Sequence, residues 1–161
     1  MSKEFQMPAL LFTFAMNTIG TGSSRYPVSI GVASSSNQVW HYLITPEPSW
    51  QGWDVVAGDL MGISPQELQD RGMSAAQLCR ELNHEFDGQQ LLTDSQDHLE
   101  MIDQVFASAG QKMTFSARHI EDVIGQGRAQ DVVSLMALVE RTYRADQDAL
   151  ALREGIVLQL T

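Results

Sequence analysis

Residues 9–17, "ALLFTFAMN", are an almost unbroken apolar run, and a run of that length is what a central strand needs when both of its faces are covered. Such a strand demands layers above and below it, which points to a sheet packed between helices. The run is also far too short for a membrane span, which takes roughly 20 apolar residues. The preceding "MSKEF" carries no net positive charge, so the segment reads as part of the mature fold and not as a secretion signal.

The pattern that follows supports a mixed architecture. After the turn "GTGSSRYP", the stretches "VSIGVASS" and "QVWHYLIT" read as two further strands joined by "SSNQ". "PEPSWQGWDVVAGDLMGISPQELQDRG" reads as a loop with short helical turns, punctuated by Pro and Gly. In "SAAQLCRELNHEF", Ser74 is an N-cap and Leu78, Leu82 and Phe86 recur at helical spacing. "QQLLTD" is then a short strand, "DHLEMIDQVFASAG" a helix closed by Gly110, and "KMTFSA" a fifth strand. From Gln130 onward the pattern is helical, with or without a break. A three-strand meander followed by alternating helices and strands gives a mixed five-stranded sheet with helices on its faces.

With 161 residues and 43% apolar side chains, one domain spanning residues 1–161 is the expectation. Twenty acidic residues against ten scattered basic ones leave a net charge of -10. That balance disfavours long-range attraction to polyanions and to anionic membranes. Cys79 is the sole cysteine. It rules out an internal disulfide and a cysteine zinc site, suits a cytoplasmic location, and reads as a semi-buried helix residue. "RHIED", residues 118–122, reads as a solvated helix face, His41 as a strand-face residue, and Trp50 and Trp53 as loop anchors. No Ser-His-Asp or Cys-His arrangement is evident.

"NTIGTG", residues 17–22, closes the first strand and fits the pattern D-x-E-T-T-G without a gap, with Asn17 and Ile19 at the acidic positions and Thr21 and Gly22 matching. "DLMGISPQEL" fits a connector in which Met61 stands where His is common. "TDSQDH", residues 93–98, fits H-N-A-x-F-D, with His98 at the ligand position; a shift of one residue puts Asp97 there. "YRADQDA", residues 143–149, fits H-R-A-x-x-D-A, with Tyr143 in place of His and Asp148 retained. In order and spacing these segments resemble the DEDD 3'-5' exonuclease superfamily, with histidine-type spacing and degenerate motifs. The resemblance implies a ribonuclease H-like fold whose first three strands form the meander.

It also implies hydrolysis of a terminal phosphodiester by two metal ions held on four carboxylates. Here Asn17 brings no charge, Ile19 no ligand and His98 a nitrogen donor suited to zinc more than magnesium. Tyr143, with an unperturbed pKa near 10, is a poor base at neutral pH. The resemblance therefore implies an exonuclease-like domain that has lost this chemistry. Such a domain binds nucleic-acid ends or nucleotides, or a protein partner, with no tightly bound cofactor and no membrane. The competing expectation is an active exonuclease, using Mg or Mn, with a non-standard metal set drawn from Asp94, Asp97, His98 and Asp148. Bland readings stand beside these: Asp94 and Asp97 as a strand end and a helix cap, Asp148 as a solvated acid, Ile19 as core.

Overall fold

The computed structural model describes residues 10–20, 25–48, 50, 52–138 and 144–160. Thr21, Gly22 and Tyr143 lie outside the described residues, as do the opening "MSKEF" and Ala9.

The apolar run becomes β1 (Phe12–Ile19), the central strand of a five-stranded sheet ordered β3-β2-β1-β4-β5. β2 (Tyr26–Ser34) pairs antiparallel with β1, and β3 (Val39–Leu43) pairs antiparallel with β2, completing the meander. On the other side β4 (Gln90–Thr93) runs parallel to β1, and β5 (Ser116–His119) parallel to β4.

Because side chains alternate across a strand, β1 serves two cores. Phe12, Phe14 and Met16 join Ile30 and Val32 of β2 on one face. Over them lie α3 (Ala75–Phe86), through Leu78, Leu82 and Phe86, and α4 (Gln96–Ala109), through Ile102, Val105 and Phe106. Phe86 is the hub, edge-on to Trp40 at 5.1 Å and to Phe12 at 5.5 Å. The opposite face carries small side chains, Ala15 and Ala33, against Ala149 of α7 (Ala145–Leu160). There the helix comes close enough for the Thr13 hydroxyl to donate to the Ala149 carbonyl at 2.6 Å. Leu11 and Leu92 extend this second core to α5 (Glu121–Ile124), α6 (Gln126–Met136) and Leu152 and Ile156 of α7.

Local chemistry sets the helix ends. Ser74 caps α3 by accepting from the Gln77 N–H, and Gly110 closes α4 in the left-handed conformation at φ 64°. The punctuated segment folds as two short helices, α1 (Val55–Met61) behind Asp54 and α2 (Pro65–Arg71) behind Ser64. Trp50 is an anchor as expected, stacked on Tyr26 at 5.9 Å.

Four sequence expectations are corrected. The fifth strand begins at Ser116 and not at Lys112. The apolar residues that suggested an earlier start, Met113 and Phe115, pack on the core without joining the ladder; Phe115 lies edge-on to Phe106 at 5.7 Å. "RHIED" is no helix face: Arg118 and His119 end β5, and Glu121 and Asp122 open α5. Cys79 is fully buried, and burial pushes its thiol up to about 11. The helical tail is two helices, α6 starting at Gln126 and α7 at Ala145.

Candidate functional site

β1 and β2 keep one register from Phe12↔Ser34 to Asn17↔Ser29, then shift so that Thr18 meets Pro27 and Ile19 meets Tyr26. The bulge decides which β2 residues the strand end meets. The extra residue is on β2, where Val28 is passed over, so β1 itself runs on without interruption through Asn17, Thr18 and Ile19. Ile19 pairs with Tyr26 and is fully buried with it, with Val28 and with Leu68 of α2. Asn17, half-buried, instead lines a cavity of about 380 Å³.

That cavity lies between the end of β1, strand β3, the α1–α2 connection and the start of α7. Its polar walls are Asn17, His41, Glu67, Arg71 and Arg144, and its apolar walls include Leu43, Met61, Ile63 and Met73. Leu43, Met61 and Ile63 are also the outer layer of the cluster around Ile19. Thus Ile19, in the "NTIGTG" segment, belongs to the cluster that backs the cavity's apolar wall.

α7 reaches this place because β2 offers Gly31. A Cβ there would lie 2.2 Å from the Asp146 nitrogen and 2.4 Å from the Ala145 oxygen, so glycine alone admits the helix start. Arg144 forks onto Asp146, Nε to Oδ1 at 3.1 Å and Nη2 to Oδ2 at 3.2 Å. Burial alone would raise the Asp146 carboxyl; the Arg144 hydrogen bonds and nearby His41 outweigh it and hold the group below the usual carboxylate range. His41 is lowered, first by desolvation, with Asp146 and Glu67 opposing and Arg144 adding to it. It is therefore neutral at pH 7, able both to donate and to accept.

The second motif lies at the opening of α4. The ring of His98 packs against Phe14 and its Nδ1 is 2.9 Å from the Thr93 hydroxyl. Desolvation lowers its pKa, opposed by Asp94 and Asp97. Asp97 Oδ2 is 3.1 Å from Arg25 Nη1, so a guanidinium already neutralises that acid. Neither Asp caps the helix: the N-cap is Ser95, and no side chain caps there. Asp148 is half-buried in the first turn of α7, its N–H bonded to the Arg144 carbonyl.

Asn17, Met61 and Arg144, from three separate motifs, thus meet at one cavity. Among the described residues, Asp94, Asp97, His98 and Asp148 included, there is no group of three or more His, Cys, Asp or Glu that could hold a metal ion. Two magnesium ions need several anionic oxygens, and this donor set does not fit them. His41, Glu67, Arg71 and Asp146 were not singled out from sequence as cavity residues. Glu67 falls inside the connector motif and Asp146 inside "YRADQDA", both usable signals; Arg71 carried none.

The backbone as a whole superposes on solved nucleases. A zinc-bound complex of E. coli exonuclease I with single-stranded DNA matches with TM-score 0.67 over 96% of this chain and 40% of that one, at 15% identity. The fold is the ribonuclease H-like fold of an exonuclease. Exonuclease I from Methylocaldum szegediense matches over 95% of this chain and 40% of its own, with TM-score 0.65 and 14% identity. This chain therefore spans about 40% of the length of those proteins. No family model and no curated protein matches its sequence. Among the described residues no helix is long and apolar enough to cross a membrane.

Proposed function

We propose that this chain is an exonuclease-fold domain that binds the end of a single-stranded nucleic acid in the cavity beside Asn17 and does not carry out two-metal hydrolysis. One observation carries the reading: Ile19, at the position of an acidic ligand, is fully buried in an apolar cluster with Tyr26, Val28 and Leu68. No rotamer change brings a ligand there. Asn17 adds no charge, and Arg25 already occupies Asp97. A strand end suits the cavity because its volume takes one terminal unit and not a duplex. The net charge of -10 keeps that affinity modest and its salt dependence shallow.

The test is incubation of 5'-labelled single-stranded DNA and RNA with magnesium, manganese or zinc. Fragment lengths are expected to stay unchanged while fluorescence anisotropy reports binding. Metal-dependent shortening that Asp148→Ala abolishes would overturn the reading in favour of an active exonuclease. If the oligomers neither bind nor shorten, the cavity serves no nucleic acid and the reading fails as well.

A further inference from the structure

We infer that the cavity beside Asn17 is a metal-independent site for an organic phosphate carrying a flat ring, a nucleotide either free or at the end of a strand, with Arg71 as its anion ligand. This rests on the function proposed above and specifies its ligand and charge chemistry. The charge balance of the lining is inverted relative to the chain. Arg71 and Arg144 face Glu67 there, two cations against one anion, where the whole chain has ten basic and twenty acidic residues. Counting Asp146, which holds Arg144, the balance is even, still more cationic than the protein at large.

Arg71 is the stronger ligand of the two. It is exposed at the last turn of α2, and its guanidinium makes no ion pair or hydrogen bond among the described residues. A guanidinium offers a planar fork of donors that matches two phosphate oxygens. Glu67, one turn earlier on the same helix, offers an acceptor suited to a sugar hydroxyl. Met61 and Ile63 form an apolar wall for a ring, and methionine adapts to irregular shapes. The volume of about 380 Å³ is at the lower end of small-ligand sites, which fits one nucleotide. Since Asn17 and Ile19 supply no negative charge to attract a divalent ion, guanidinium groups take over the neutralisation of phosphate, and chelators leave binding intact.

The experiment is calorimetric titration of the full chain with adenosine and thymidine monophosphates, inorganic phosphate and a single-stranded decamer, in EDTA and in magnesium. Mononucleotide is expected to bind in EDTA, within about twofold of its affinity in magnesium, and to compete with the decamer. Inorganic phosphate is expected to bind at least about tenfold more weakly, lacking the ring. Arg71→Ala is expected to weaken mononucleotide binding about tenfold or more, and Arg71→Lys less; both keep the wild-type melting temperature, because the side chain is exposed. A decamer tighter than the mononucleotide assigns the ligand to strand ends, and equal affinities to free nucleotide. Mononucleotide binding absent in EDTA, or unchanged by Arg71→Ala, overturns the inference. Decamer binding that survives Arg71→Ala overturns it while leaving the proposed function standing, and metal-dependent shortening of the decamer overturns both.

Discussion

Replacing Gly31 by alanine is expected to destabilise the protein by about 3 kcal/mol or more, the upper end of what overpacking costs. The new methyl would lie 2.2 Å from the Asp146 nitrogen, 2.3 Å from the Ala145 carbonyl carbon and 2.4 Å from its oxygen. These are backbone atoms of a helix start, so no rotamer change relieves the contact. Either β2 bends or α7 lifts. Lifting α7 breaks the seam of Ala15, Ala33 and Ala149 and strains the 2.6 Å bond from Thr13. It also shifts Arg144 out of the cavity wall, so ligand affinity falls together with stability. Urea titration followed by circular dichroism measures the first effect, and the midpoint should drop well beyond error. Gly127→Ala is the control: nothing lies within 4 Å of a Cβ there. In the first turn of α6, that methyl is expected to stabilise by up to about 0.5 kcal/mol, less than in a helix interior. A Gly31→Ala protein with a wild-type midpoint would show that α7 does not approach β2 as described.

Ile19→Glu, the change that would bring the first motif nearer to the acidic pattern, is expected to cost about 4 kcal/mol at neutral pH, in the range reserved for buried unpaired charge. Ile19 is fully buried among Tyr26, Val28 and Leu68, none of which carries a positive charge to pair with a carboxylate. The introduced acid would therefore titrate upward in the folded state, from about 4.3 in the unfolded chain. A raised folded pKa means that protonation favours folding. Relative to the parent, the variant is then least destabilised below about pH 4 and loses stability as pH rises from there through the raised folded pKa, by up to about 1.4 kcal/mol per pH unit. The parent protein has no such group at this position, so the difference between the two pH profiles isolates it. Ile19→Val, which keeps the cluster apolar, should cost only about 1 kcal/mol. Combined with Asn17→Asp, the glutamate variant should still fail to degrade single-stranded DNA in magnesium. Nuclease activity in that double variant would show that the apolar cluster around Ile19 yields.

Much of this fold is legible in the sequence because the signals are local. The apolar run of β1, the four-residue helical spacing of Leu78, Leu82 and Phe86, and Gly110 each specify an element without reference to the rest of the chain. The motif spacing also brings Asn17, Met61 and Arg144 to one cavity. What stays hidden depends on three-dimensional context. The register slip between Asn17 and Thr18 has no local signature, yet it sets Ile19 opposite Tyr26 and not opposite Pro27. Arg71 is an ordinary surface cation until α2 places it beside β3. The Arg144–Asp146 fork likewise takes its meaning from the approach of α7 to Gly31. Phe115 misleads because burial and ladder pairing, which usually coincide in a strand, part company where a turn enters the core.

The closeness of α7 to the sheet carries a consequence for how the molecule assembles. Thr13 and Ala149 are 136 residues apart in sequence, and Arg153, whose guanidinium donates to the Ser34 carbonyl at 3.0 Å, is 119 residues from it. Bringing such distant segments together carries a loop-closure cost before any contact rewards it. The meander and the α3–α4 face can form from nearer neighbours, whereas the small-residue seam closes only when the helix returns. The cavity's Arg144 wall is set by that same return. In a refolding experiment, slow exchange at the β1 and β2 amides should therefore emerge together with that of α7, and ligand binding should recover no earlier than the last of them.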